Sequence, residues 1–515
     1  MPANPAAGSA FSRQRRFGAV GNPKEKLLQR MKLSLKSALQ LPAGCLLGLL
    51  FGTSNVGAVI PLNPDGTTDR TSDIETALAT AKNTNDYVML NAGTYYHSGV
   101  LTINGAELRG AGDSTILHAT DPENAAVKLT GSGPKLKNIK VRTNYSGSIV
   151  ADSDDRLQAD VSCLVYVKDA TNFRVENVTA QTGRGAGIMV NNSGGTSSSS
   201  KAYIQNCRVR DTLADGIHMT NGSKYIVVQS NNVTNTADDL IAIVSYKFQT
   251  DGSTPKNPVA CRDIGINNNT LSANVWGRGI TVNGGHHVSV TNNTVTNSFH
   301  SGLILVSEGH PYYAWPTTNI TVTNNTFSGC NASNTGGQSG IMIKGRSGYV
   351  TSSIAISEAD VLNAKRHGIF VGGNSSGITF SDCLVDGATS SGLEVQGGNN
   401  IEFKGGTHTS YTSFIKNTGG YGVYTDGACT GYLKIRNTRF EQINKTSGNA
   451  QFDVIHVSNR VNPGLTVTIT GNHYTNPAAA TVHHYIECLE DNIVEPISPV
   501  NTTTTSLGSV PEEFE

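Results

Sequence analysis

Three carboxylates and an arginine carry most of the chemistry this sequence can offer. Asp215 stands in Leu213-Ala214-Asp215-Gly216-Ile217-His218, and Asp238 and Asp239 in Ala237-Asp238-Asp239-Leu240-Ile241-Ala242-Ile243. Arg278 follows in Gly277-Arg278-Gly279-Ile280-Thr281-Val282. Crowded carboxylates raise one another's proton affinity, so one stays protonated as an acid while another works as a base. The segment Ser307-Glu308-Gly309-His310-Pro311-Tyr312-Tyr313-Ala314-Trp315-Pro316 gathers aromatic residues in a chain where they make up only 6%. Aromatic faces stack on sugar rings, so His310, Tyr312 and Trp315 are candidate substrate contacts, with core packing the competing reading for Trp315. His218 is a further candidate contact beside Asp215. His367, several repeats away, reads as structural or peripheral.

These residues are far apart in sequence, and repeats must bring them together. Two phrases alternate from about residue 170 to 425. One is a β-branched strand ending in a polar turn, as in Tyr203-Ile204-Gln205-Asn206-Cys207-Arg208-Val209 and His287-Val288-Ser289-Val290-Thr291-Asn292-Asn293. The other is glycine, apolar, any residue, apolar, beginning at Gly187, Gly216, Gly279, Gly302, Gly340, Gly368 and Gly392. Each phrase is too short for a helix and alternates with period two, so each predicts a strand. One repeat cannot bury its apolar side alone, whereas copies stacked at ~4.8 Å close a continuous core. The fold class expected is therefore all-β, a parallel β-helix. The pairs Asn231-Asn232, Asn268-Asn269, Asn292-Asn293 and Asn324-Asn325 are expected to line up and bond one another along the stack.

In the second phrase the two apolar residues point inward and the residue between them is expected to face solvent. Two positions before the first inward residue lies a corner. Read repeat by repeat, that corner holds Ala186, Asp215, Asp239, Arg278, Ser301, Ser339, His367, Ser391 and Tyr421. Two acids and an arginine thus fall in consecutive rungs of one column, with Asp238 adjoining. An isolated corner aspartate most often caps a turn. Three acids on adjacent rungs, followed by an arginine in register, point to function. The inserted stretch between Tyr246 and Cys261 and the aromatic segment are expected to flank this patch on opposite sides and form a groove.

The stretch from Asp65 to Gly112, with a short helix expected at about Ser72 to Ala81, resembles the N-terminal cap of the right-handed, pectin-lyase-like β-helix superfamily. The acidic rungs resemble the polygalacturonase family of glycoside hydrolases over about 70 residues. That resemblance implies Asp238 as general acid, and Asp215 and Asp239 as the pair that deprotonates the attacking water in an inverting hydrolysis. Arg278 stands where that family has histidine and Ala214 where it has threonine. The family's Arg-Ile-Lys rung is missing, echoed only by Ile343-Lys344, so Arg278 and Lys344 are the basic substrate contacts it leaves. The resemblance implies hydrolysis of a polysaccharide more than a galacturonan substrate.

The ends and the composition frame this reading. Residues 1–58 read as leader and export signal, with Lys32 and Lys36 before an apolar run from Leu41 to Phe51 and a Val56-Gly57-Ala58 cleavage site. The run is shorter than the ~20 residues that span a bilayer. Residues 59–130 read as cap and first coils, 131–485 as the β-helix and 486–515 as a tail. The formal net charge is +0, which gives no sign of a nucleic-acid or membrane partner. Seven scattered cysteines remain after export, and Cys207 and Cys383 read as small buried fillers. No metal or cofactor is expected for a secreted or periplasmic hydrolase. The alternatives are a lyase or uronate epimerase, in which the acids hold Ca²⁺ and Arg278 or Lys344 takes a proton, and a non-catalytic glycan-binding protein.

Overall fold

The computed structural model describes residues 59–488 apart from 63, 65, 67, 152, 158–160, 257–258, 334–337, 407–411, 427–428, 444–453, 459–464 and 476–485. The expected leader and the tail beyond residue 488 lie outside the described residues. The one stretch of that tail within them, Ile486–Cys488, is a strand paired with Ile455–Val457.

The described chain winds as a parallel β-helix. Fourteen strands stack in chain order in one sheet, from Leu101–Asn104 to Ile486–Cys488. The other two faces form a 26-stranded sheet, merged where Glu107–Ala119, Lys135–Thr143 and Arg174–Gly183 run through both. Period-two patterning fixes the register, because a one-residue slip would turn every apolar side chain outward. Ile188 pairs with Ile217, Ile217 with Ile241, Ile241 with Ile280, and Ile280 with Leu303. All five are fully buried, each such burial contributing ~1.5–3 kcal/mol.

The helix at the first end, α1 (Thr71–Thr84), is longer than the sequence suggests and stops at Asn85 in left-handed conformation. It buries Ile74, Ala77, Leu78 and Ala81 and packs on Tyr87–Leu90 and Leu101–Asn104. Strand ends of the first coils are thereby covered.

The asparagine ladder forms with one change of register. Asn231 aligns with Asn269, Asn293 and Asn325, so the first pair is offset by one and Asn232 is exposed on its strand. The Asn269 amide oxygen accepts the backbone N–H of Asn231 at 2.9 Å, and its amide nitrogen donates to the Val228 carbonyl at 3.0 Å and to Asn293 Oδ1 at 2.9 Å. Cys207 continues the same column, its N–H donating to Asn231 Oδ1, and Cys383 lies further along it. Both are buried, as a filler position requires. Asn269→Leu strands the Asn231 N–H and the Val228 carbonyl, each costing about 1–3 kcal/mol when buried unpaired. Urea unfolding should show a loss of roughly 2–4 kcal/mol for Asn269→Leu and under about 0.5 kcal/mol for Asn232→Leu.

One expectation is corrected here. The middle residue of the second phrase points away from the main core but does not face solvent: Met189, Ala242, Thr281, Ile304, Met342 and Phe370 are all buried. Long side chains on this outer face pack on one another, and Ile304, Val306, Met342 and Phe370 form a small apolar cluster of their own.

Candidate active site

Cross-strand register places the corner column as its spacing predicts. Asp215 lies one rung from Asp239 and Asp239 one rung from Arg278, because Ile217, Ile241 and Ile280 pair directly. Asp215 Oδ1 accepts the Asp239 N–H at 3.0 Å, and Asp239 Oδ1 accepts the Arg278 N–H at 2.7 Å. Each corner acid therefore does cap the turn of the next coil, with one of its two oxygens. Asp238 joins them from the preceding position, and one oxygen of each of the three carboxylates lies within 4.8 Å of the others. Glycine is required opposite: Gly277 has φ +82°, and a Cβ there would stand 2.5 Å from the Asp238 carbonyl carbon and 2.8 Å from Asp238 Oδ1. Asn274 ties this turn together, donating from its amide to the carbonyls of Asp238, Trp276 and Arg278 and accepting the Phe299 N–H.

The three acids have different surroundings. Asp215 Oδ2 meets His218 Nδ1 at 2.6 Å. Burial works against charge on that imidazole, yet the Asp215 carboxylate holds its pKa above the ordinary histidine value. The Asp239 carboxyl is raised by burial, against the pull of the Arg278 guanidinium at 3.7 Å. Asp238 is pushed up to about 7, first by burial and then by the charges of Asp215 and Asp239, with Arg156 opposing. Its side chain is also the most accessible, 15% exposed against 8% for Asp215 and 7% for Asp239. A proton donor near neutral pH thus adjoins two more enclosed carboxylates, one of them braced by an arginine.

The walls differ from the sequence expectation. The stretch after Tyr246 and the aromatic segment are not on opposite sides: both leave the same end of one sheet, from strands two rungs apart, and bond to each other. Lys247 N–H donates to the Tyr313 carbonyl at 2.8 Å, and Trp315 N–H to the Ser245 carbonyl at 2.9 Å. Together they make one wall. Opposite, at the corner edge, stand Arg156, Trp276, Phe299 and His300, with Arg278 beneath the Trp276 ring. Both insertions follow strands of one sheet, so their shared origin places them together.

A family model of the right handed beta helix region matches residues 83–254, 125–327 and 260–410. These matches cover more than half of the sequence. The chain belongs to the right-handed β-helix family. No curated protein matches it. Among solved structures, the catalytic domain of a GH87 alpha-1,3-glucanase in complex with tetrasaccharides is 18% identical, covers 82% of this chain and 69% of its own, and has a TM-score of 0.51. The complex of a GH87 alpha-1,3-glucanase catalytic domain with nigerose is 17% identical over the same shares, TM-score 0.52. The pre-mature gene product 12 of bacteriophage phi29 is 14% identical, covering 81% of this chain and 56% of its own, TM-score 0.58. At these identities the likeness is one of fold.

Within this β-helix, Asp215, Asp238, Asp239, Arg278 and His218 converge. The other predicted contacts do not. Lys344 lies two rungs beyond Arg278, its Nζ 6.0 Å over the Phe370 ring. His310 is exposed and pairs with the Tyr313 hydroxyl at 2.9 Å. Trp315 is half-buried under Lys247. Tyr312 is 47% exposed and stacked on Tyr246 at 5.6 Å. The Tyr246 hydroxyl is raised by burial and then by the charges of Glu308, Tyr312, Asp215 and Asp239. Sequence reasoning missed Tyr246, Glu308, Asn274 and Arg156. The first two sit at the insertions already noted and Asn274 in the turn before Arg278. Arg156, whose Nη2 lies 2.7 Å from Asp238 Oδ2, is carried on a repeat-free stretch and left no trace in the pattern.

Proposed function

We propose that this β-helix protein is an exported glycoside hydrolase that cleaves a neutral polysaccharide. Asp238 protonates the leaving oxygen, and Asp239, braced by Arg278 and backed by Asp215, activates water. The observation that carries this reading is the meeting of three carboxylates within 4.8 Å, with the most accessible one pushed up to about 7. A carboxylic acid of that strength can donate and recover its proton near neutral pH. Spacing does not carry the inverting course: these oxygens are nearer than the roughly 6.5–9.5 Å usual for an inverting pair.

Charge favours a neutral chain. Arg156 and Arg278 are engaged by Asp238 and Asp239, and Glu308 adds a fourth acid whose charge Tyr246 and Arg278 also sense. A uronate would bring its carboxylate against that cluster, whereas a neutral sugar brings no charge to it. The GH87 neighbours, named as alpha-1,3-glucanases bound to nigerose or tetrasaccharides, agree with this. A lyase reading fits less well, because the carboxylates already hold Arg156, Arg278 and His218. Charge on Arg278 is stabilised by Asp239 and Asp238 despite burial, which unfits it as a base.

The test is purified protein on α-1,3-glucan, other neutral glucans and homogalacturonan, with products read by mass spectrometry and the anomer by NMR. Products heavier by one water, from a neutral glucan, are expected. Unsaturated products, or binding without turnover, would overturn the assignment.

A further inference from the structure

The stretch between Lys135–Thr143 and Val165–Thr171 leaves the coil and returns without a repeat phrase. Its base is fastened. Leu157 N–H donates to the Arg184 carbonyl at 3.1 Å, Arg184 Nε donates to the Asp155 carbonyl at 2.7 Å, and Arg156 N–H donates to the Ser153 carbonyl at 2.9 Å. From this base the Arg156 guanidinium reaches an acid 82 residues later in sequence, donating from Nη2 to Asp238 Oδ2 at 2.7 Å. Arg278 lies against Asp239, and His218 against Asp215. Arg156 is therefore the direct counter-charge of Asp238.

We propose that Arg156 is a positioning residue for Asp238: it occupies Oδ2 and leaves Oδ1, facing Gly277, as the oxygen that carries the transferable proton. This rests on the hydrolase reading. In the step, the Oδ1 proton passes to the glycosidic oxygen as its bond to the anomeric carbon breaks. Water oxygen bonds to that carbon and the water proton passes to Asp239, so one water is consumed per bond. Exchange with solvent returns a proton to Asp238 and removes one from Asp239.

Asp238 faces two carboxylates, Asp215 and Asp239, and the cation Arg156. His218 and Arg278, across the cluster, also sense its charge. With Arg156 gone, the two carboxylates act with less opposition, and Asp238 becomes a weaker acid with either oxygen free to be protonated. A guanidinium that fastened its loop through other groups and did not hold Asp238 in solution would leave the proton affinity of Asp238 unmoved.

The experiment is a ¹³C-carboxyl NMR titration of the full chain labelled at aspartate, with the Asp238 signal assigned by its loss in Asp238→Asn. The expected result is an Asp238 midpoint at least about one pH unit higher in Arg156→Gln, a tenfold gain in proton affinity. Arg156→Lys, which keeps the charge, should stay within about half a unit of the parent. A midpoint in Arg156→Gln that is unchanged or lower, or one in Arg156→Lys displaced as far as in Arg156→Gln, would overturn the proposal. The titration needs no substrate, so protein that turns over no glycan refutes the hydrolase reading separately. On a cleaved glucan, Arg156→Gln should lower kcat about tenfold or more with KM within about twofold, and carry the alkaline limb of the pH profile upward.

Discussion

Asp239→Asn and Asp238→Asn are each expected to slow glycan cleavage by roughly 10²–10⁴-fold, the usual share of a positioned acid or base. The two fail differently. Asn at 239 keeps an oxygen that can accept the Arg278 N–H, so the corner stays in place while the base is gone. Asn at 238 keeps an acceptor for Arg156 but has no proton to give. Asp215→Asn should cost less, because Asp215 commits its oxygens to the Asp239 N–H and to His218. Combining the substitutions at 238 and 239 should cost little more than the worse of them, since residues acting in one step are not additive. Initial rates on the cleaved glucan, with KM measured separately, decide the matter. Activity within tenfold of the parent in either single variant would remove the acid–base assignment.

Asp238→Asn should also stabilise the protein, and the sign of its pH dependence follows from the shift. The folded-state value of about 7 lies above the ordinary 3.8, so between these the folded chain binds more protons than the unfolded one. Stability falls as pH rises through that window. The loss reaches about 1.4 kcal/mol per unit, hence up to about 4 kcal/mol above pH 7. Asn does not ionise and escapes it. The Arg156 side chain is 32% exposed, so its charge remains hydrated once its partner is neutral. Thermal unfolding should show Asp238→Asn more stable than the parent at pH 8, with the gain shrinking towards pH 4. Equal stability at pH 8, or a loss, would contradict the crowding inferred here.

The column was legible in the sequence for a plain reason. Side chains alternate with period two, so a glycine and two apolar residues fix the phase of each strand, and Asp215, Asp239 and Arg278 fall where that phase puts them. The ladder was legible too, save that Asn231 and not Asn232 joins it. Periodicity says nothing about what covers a face, which is why the residues between the inward pairs were expected in water and are buried. Nor does it say where an excursion goes. Arg156 belongs to such a stretch, as does the pairing of the two insertions into one wall, set by contacts such as that of Lys247 with Tyr313. Lys344 looked close because two rungs is a short count. Along the axis, however, that is ~10 Å.

The corner acids each lend an oxygen to the backbone of the following coil, and this limits how the molecule can change length. A coil inserted or deleted between residues 213 and 282 would break the stitch from Asp215 to Asp239 or from Asp239 to Arg278 and scatter the reacting groups with it. Farther along the same column the stitch changes chemistry: the Ser301 hydroxyl accepts the Ser339 N–H at 3.1 Å, and His367 meets Glu394 of the next coil at 2.6 Å. The stretch around the acids is therefore indivisible, because its coils are stitched by the same oxygens that gather the reacting groups.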